Sequence, residues 1–178
     1  MQTKSPIRVL IRPAFPEDCK AFLAAVYRNR AFHRPWSTPK PTTPKAFHDY
    51  IKRYSTETNR AFFVVLRDTG ELVGVINLQN IVRRAFQNAA VGYYAFAPFN
   101  GQGLMQEGLQ LVVQHAFRKL KLHRLEANIQ PHNRASIALA RRCGFVKEGF
   151  SPRMLKVGGR WRDHERWVLL VEDFRRRK

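Results

Sequence analysis

The stretch His123–Gly149, HRLEANIQPHNRASIALARRCGFVKEG, changes periodicity within one run. LHRLEANIQ alternates as a strand does, placing Glu126 in mid-strand and His123 out of phase with it. Pro131 stops that strand. NRASIALARRCGF then reads as a short helix, with Asn133 as N-cap and Gly144 at its end. A strand delivered straight into a capped helix is the unit of an α/β sheet, and the flanking sequence repeats it.

Upstream, Ala89–Phe99 (AAVGYYAFAPF) reads as a strand ended by Pro98, followed by NGQGLMQEGL, Asn100–Leu109. From Gly103 to Leu120, the spacing of Met105, Leu109, Val112, Ala116 and Leu120 predicts an amphipathic helix. Gly101 and Gly103 thus stand where a strand becomes a helix. That pattern fits a tight turn. It also fits an anion site, because a helix start leaves unpaired N–H groups and glycine lets a phosphate approach them.

Working outward, IRVLIRPA suggests a first strand, PEDCKAFLAAVYRNRAF a first helix, and Pro44–Tyr54 a second. RAFFVVL and ELVGVINLQNI read as strands around an Asp-Thr-Gly turn. FSPRMLKV and RWRDHERWVLLVED read as strands joined by a Gly-Gly hairpin turn. Arg34–Pro44 holds four prolines and predicts an ordered loop between helices. The sum is seven strands and four helices in an α/β sheet of mixed direction, one domain over 1–178.

Composition narrows the function. Thirteen Phe, five Tyr and three Trp predict a packed core. No apolar run approaches the roughly 20 residues of a membrane span, and no secretory signal is evident, so no membrane partner is expected and the cytoplasm is the expected compartment. Cys19 and Cys143 form no metal or disulfide pattern, and no metal site is expected. Against 13 acidic residues stand 32 Lys and Arg, a net charge of +19. Such a field serves as a solubilising surface, or draws an acidic or RNA-containing partner.

HRLEANIQPHNRASIALARRCGFVKEG, taken with GQGLMQEGL and VGYYAF, resembles the GNAT acetyltransferase superfamily, and within it the ribosomal-protein-alanine N-acetyltransferases. The likeness runs from IRPAFPEDCKAFL to WRDHERWVLL. It implies a mostly antiparallel sheet, splayed between the fourth and fifth strands, with acetyl-CoA as cosubstrate in that cleft. It further implies that the pantetheine arm pairs with Tyr94, Ala95, Phe96 and Ala97, and that the pyrophosphate rests on the N–H groups of Gly101, Gln102, Gly103, Leu104 and Met105. Asn133 matches the residue that holds the pantetheine amide. The expected carbonyl donor is an N–H near Phe96 or Ala97. The chain departs from the superfamily at Asn100, where Arg or Gln is usual, and at Ala140, where many members carry the Tyr acid.

The remaining candidates follow from chemistry and, for the acceptor walls, from what the resemblance implies. Glu126 is the expected general base, acting through water, or else a structural partner of Arg124. Ser136 is the expected donor to the sulfur, or else a small residue packed on the sheet. His123, His132 and His164 are weaker candidates for the base. Asp163 and His164 on the last hairpin, where the resembled family meets its acceptor, with Phe32, His33 and Trp36 after the first helix, are the expected acceptor walls; Trp36 and Trp161 serve equally as core or rim packing. Glu57, Asp68, Glu71 and Glu107 are expected to lie remote from the cleft. The resulting expectation is direct transfer of acetyl to a primary amine, foremost the N-terminal amine of a ribosomal protein, with ribosome or rRNA contact through the basic surface. The alternatives are a small-molecule acetyltransferase (aminoglycoside, polyamine or amino acid) and a non-catalytic CoA- or RNA-binding GNAT protein.

Overall fold

The computed structural model describes residues 6–36 and 40–176. The N-terminal residues 1–5, part of the proline-rich loop (37–39) and the last two residues of the basic tail lie outside the described residues. Seven strands form one sheet in the order β1-β2-β3-β4-β5-β7-β6. They are β1 (Val9–Arg12), β2 (Arg60–Leu66), β3 (Leu72–Val82), β4 (Asn88–Ala95), β5 (Arg124–Ile129), β6 (Val146–Val157) and β7 (Arg160–Leu170). Every neighbouring pair is antiparallel except β4 and β5.

Six helices flank the sheet among the described residues: α1 (Cys19–Arg28), α2 (Arg30–His33), α3 (Pro44–Arg53), α4 (Leu104–Arg118), α5 (Arg134–Arg142) and α6 (Val171–Arg176). The sequence predicts four. The first predicted helix breaks at Asn29, whose Nδ2 donates to the Ala25 carbonyl at 2.8 Å. A side-chain amide competing for helix carbonyls ends α1, and α2 restarts beyond it. At the other end, the last predicted strand stops at Leu170 and six residues coil into α6.

Alternation along the strands feeds two apolar layers. Phe22, Phe47, Phe63, Val75 and Phe96 pack under α1 and α3, with the Phe22 and Phe47 rings 4.8 Å apart. Leu109, Val112 and Ala116 of α4 pack with Leu125, Ala127, Ile129 and Trp167 on the opposite face. The α4 stripe is the one its spacing predicts. No helix among the described residues is long and apolar enough to cross a membrane.

β4 and β5 hold together over only three residue pairs, Asn88–Arg124, Ala89–Leu125 and Ala90–Glu126. Beyond them β4 continues to Ala95 along β3, while β5 continues to Ile129 along β7. The parallel pair therefore parts toward its C-terminal ends into a wedge. Each strand then runs into a helix, so the N-termini of α4 and α5 both lie at the open end.

Candidate active site

The first lip of the wedge is backbone. Gly101 and Gly103 adopt φ of +77° and +79°, in the left-handed region that side chains resist. A Cβ built on Gly101 meets nothing within 4 Å, so the loop surface is open there. Glu107 N bonds the Gly103 carbonyl at 3.1 Å, which begins the α4 ladder and leaves the N–H groups of Gly103, Leu104 and Met105 ahead of it. The Leu104 and Met105 side chains are buried in the core. They offer a ligand only their backbone. The geometry fits an anion such as a pyrophosphate: left-handed glycines, a helix start, and free space in front.

Glu107 is not remote as expected. It sits in the first turn of α4, where Arg8 binds it through Nε and Nη2 at 2.8 and 2.6 Å. Arg8 Nη2 also holds the Gln102 carbonyl at 2.8 Å. The arginine thus neutralises the carboxylate and braces the glycine loop. A recess of about 340 Å³ beside it is lined by Arg8, Leu66, Arg67, Phe99 and Gln102, and by Asp68, which is likewise not remote.

Strand parity decides which groups of β4 face the opening. Phe96 N–H donates to the Val73 carbonyl at 2.8 Å, so the backbone of Phe96 and, two residues back, Tyr94 turns toward β3. Tyr93 and Ala95 turn their backbone groups toward the wedge, and Ala97 lies beyond the strand in a turn where Phe99 N–H donates to the Phe96 carbonyl at 3.0 Å. Ala97 N–H is held at 2.9 Å by Oδ1 of the buried Asn29, and the Ala95 carbonyl lies 2.7 Å from His33 Nε2. The expected carbonyl donors are therefore already engaged, Phe96 in the sheet and Ala97 by a side chain. Asn29 gives no local signal of this role, since its partner is 68 residues away.

Glu126 sits in the last residue pair before the strands part. Its β5 neighbours Leu125 and Ala127 are buried against α4, so its carboxylate points to the opposite, α1–α3 face. Arg124 Nη2 and Asn128 Nδ2 contact it at 3.1 and 3.3 Å, and Arg124 also binds Glu148. The structural pairing is real and leaves the carboxylate at the vertex of the wedge.

The cap expected of Asn133 is present: its Oδ1 accepts from Ser136 N at 3.2 Å. Ser136 Oγ donates to the Tyr93 hydroxyl at 3.1 Å, and that hydroxyl donates to the Ser136 carbonyl at 3.0 Å. Burial holds the Tyr93 phenol well above its ordinary range, so it stays protonated. Ala140 is fully buried, with no room there for a hydroxyl-bearing ring. Sequence reasoning missed Tyr93 as a side chain, although its place in the alternating VGYYAF run sets its ring on the α5 side.

The acceptor walls differ from expectation in part. Phe32 is exposed, Trp36 is half-buried and His33 is buried against β4. Trp161 is 61% exposed, at the rim rather than in the core. His164 is buried, its Nδ1 3.0 Å from the Arg162 carbonyl, so the hairpin turns it inward instead of presenting it. Asp163 accepts from Arg153 N–H at 2.7 Å and pins the bulge between Ser151 and Leu155. His123 pairs with Glu172 at 3.3 Å, away from the wedge, and His132 is exposed beyond the end of β5. Among the described residues, no group of three or more His, Cys, Asp or Glu is placed to hold a metal.

Comparison with known proteins follows the same lines. The family model for the acetyltransferase (GNAT) domain matches residues 8–146. The ribosomal protein uS5-alanine N-acetyltransferase of Escherichia coli is 30% identical over 174 residues, covering 94% of this chain and 90% of that protein. A Bacillus subtilis protein named Probable N-acetyltransferase YjcK is 31% identical over 172 residues, covering 93% and 95%. Among solved structures, Mycobacterium smegmatis RimJ in complex with CoA-disulfide superposes with a TM-score of 0.86 at 26% identity, over 93% of this chain and 83% of that one.

Proposed function

The chain belongs to the GNAT acetyltransferase family, and from that premise we propose that it transfers acetyl from acetyl-CoA directly to the N-terminal α-amine of a ribosomal protein. One observation carries the reading: β4 and β5 part after three residue pairs, with a glycine-bared helix start at the mouth. The relation to the E. coli uS5-alanine enzyme, over nearly the full length of both chains, supports the acceptor class and a cytoplasmic setting.

When bound, the coenzyme supplies a thioester whose carbonyl is open to an amine. The amides of Gly101 to Met105 hold its pyrophosphate, and the α4 dipole adds to their field. The recess by Arg8, Arg67, Asp68 and Phe99 opens beside the glycine loop, where the nucleotide end would lie. The wedge-facing backbone of Tyr93 aligns the pantetheine arm, and Asn133 borders it. With Phe96 and Ala97 N–H already committed, the Ala95 N–H is the polarising donor for the carbonyl.

An α-amine titrates at about 7.7–8.0, against about 10.4 for Lys, so a sizeable fraction is neutral at pH 7. Glu126 takes the remaining proton through a water on the acceptor face. Ser136 Oγ turns its single proton from the Tyr93 hydroxyl to the departing sulfur. The acceptor enters between Phe32 and Trp36 on one side and the β6–β7 hairpin on the other. Thiol release from acetyl-CoA across N-terminal peptides, Lys side-chain peptides, aminoglycosides and polyamines tests the proposal. Acetylation of a peptide α-amine with ε-amines spared is expected; turnover confined to the small amines contradicts it.

The charge also finds a place. From Ser151 to Arg162 the hairpin carries exposed Arg153, Lys156, Arg160 and Arg162 and no acidic residue. A basic tip beside the acceptor entrance suits an acceptor presented on rRNA. Co-sedimentation with ribosomes that weakens steeply with salt is expected, and a flat salt response contradicts it.

A further inference from the structure

The segment after α1 is laced to both lips of the wedge. His33 Nε2 donates to the Ala95 carbonyl of β4 at 2.7 Å, and Gln130, just past β5, donates to the Pro35 carbonyl at 3.2 Å. The chain comes back with Lys40 half-buried and its Nζ 4.1 Å from the centroid of the Tyr94 ring. Tyr94 immediately precedes Ala95, and its ring lies on the α1–α3 face, the same face to which Glu126 points. An amine on a flexible stem therefore stands at the acceptor side of the strand that aligns the thioester.

Its surroundings suit a nucleophile. Titratable groups facing it include His33 from α2 and Tyr94 from β4, with Tyr50 of α3 and Tyr54 just past its end behind Tyr94. Burial pushes the Lys40 amine down to about 8. His33, lowered to about 4 by burial first and by the Lys40 charge second, stays neutral beside it. A lysine that loses its proton near neutral pH is competent for acyl transfer where ordinary lysines are not.

We infer that Lys40 is an internal acceptor, a self-acetylation site that takes the acetyl group when no outside amine fills the wedge. The inference rests on the coenzyme reading above. In the step, the Nζ lone pair forms a C–N bond to the thioester carbonyl carbon and the C–S bond breaks. The sulfur leaves with the electron pair as the CoA thiolate, and the excess proton on nitrogen passes through water to Glu126. The product is a neutral acetyl-lysine against the Tyr94 ring, which removes the cation from the acceptor wall.

The test incubates the full-length protein with acetyl-CoA and no acceptor, then maps acetylated lysines by peptide mass spectrometry. Acetylation of Lys40 ahead of other lysines is expected. Its rate should be independent of protein concentration, rise with pH through about 8, and fall when a good peptide acceptor is added. Lys40→Arg should remove the modification. An unmodified Lys40 in protein that acetylates a peptide normally overturns the inference and spares the wedge. A rate that scales with protein concentration also overturns it, since one molecule then modifies another. If neither peptide nor Lys40 is acetylated, the coenzyme reading falls with it. Independently of the coenzyme, competitive acetic anhydride labelling should give Lys40 a reactivity midpoint near 8; a midpoint at the ordinary lysine value, about 10.4, overturns the inference.

Discussion

The two walls of the wedge are made of different materials. The proposed coenzyme wall is backbone: left-handed Gly101 and Gly103, the first amides of α4, and the parity of β4. The acceptor wall is side chains drawn from distant parts of the chain, with His33, Lys40, Tyr94 and Glu126 contributed by α2, a loop, β4 and β5. A backbone wall recognises a feature every acetyl-CoA shares. A side-chain wall can be changed residue by residue, so acceptor choice should vary while coenzyme binding persists.

The comparison predicts separable failures. The largest effect is expected at the vertex. Glu126→Gln should lower kcat roughly 10²-fold or more while the coenzyme KM changes little. Activity should recover partly at high pH, where the acceptor amine loses its proton unaided. An unchanged kcat across pH would remove Glu126 from the chemistry.

On the backbone wall, Gly101→Val forces a branched side chain into φ +77° and fills the open space before the amides. Strain of about 1–3 kcal/mol, with the approach blocked, should raise the acetyl-CoA Kd roughly 10–100-fold. Calorimetric titration checks it, and kcat at saturating coenzyme should move far less. A Kd equal to that of the unaltered protein would show that the loop holds no phosphate.

Gly74→Ala tests how rigidly the coenzyme wall is seated. A Cβ there would lie 2.5 Å from the Tyr94 carbonyl and 2.5 Å from Met105 Sδ, joining β4 to α4. Methionine can yield, but backbone cannot, and overpacking of this kind costs about 1–3 kcal/mol. At this chain length that is a fall in Tm of roughly 2–10 °C by calorimetry.

The smallest effect is acid lability of the acceptor wall. The His33 pKa is depressed from 6.5 to about 4, so between those values the unfolded chain holds a proton that the folded one does not. Stability therefore falls as pH drops from about 6.5 toward 4, by an amount on the order of 1–2 kcal/mol. His33→Gln should flatten that part of the urea midpoint profile. An equally steep profile in the variant would assign the loss elsewhere.

What could be read in advance follows the same division. Pro131, the Asn133 cap and the glycine pair act within a few residues, so their roles were visible as spacing. The parting of β4 and β5 entered through family likeness, since no local pattern encodes where two strands stop pairing. Asn29, Tyr93 and Lys40 escaped because their partners lie far along the chain. His164 was misjudged for a related reason. Its burial depends on what β6 and the rest of the fold place around it, which alternation along its own strand does not state.

The most direct test titrates acetyl-CoA into ¹⁵N-labelled protein and follows the backbone amides. The account predicts that Gly101, Gly103, Leu104 and Met105 shift most, with Tyr93 and Ala95 next, and that β6 and β7 stay nearly still. Silent glycine-loop amides beside strong shifts elsewhere would contradict it.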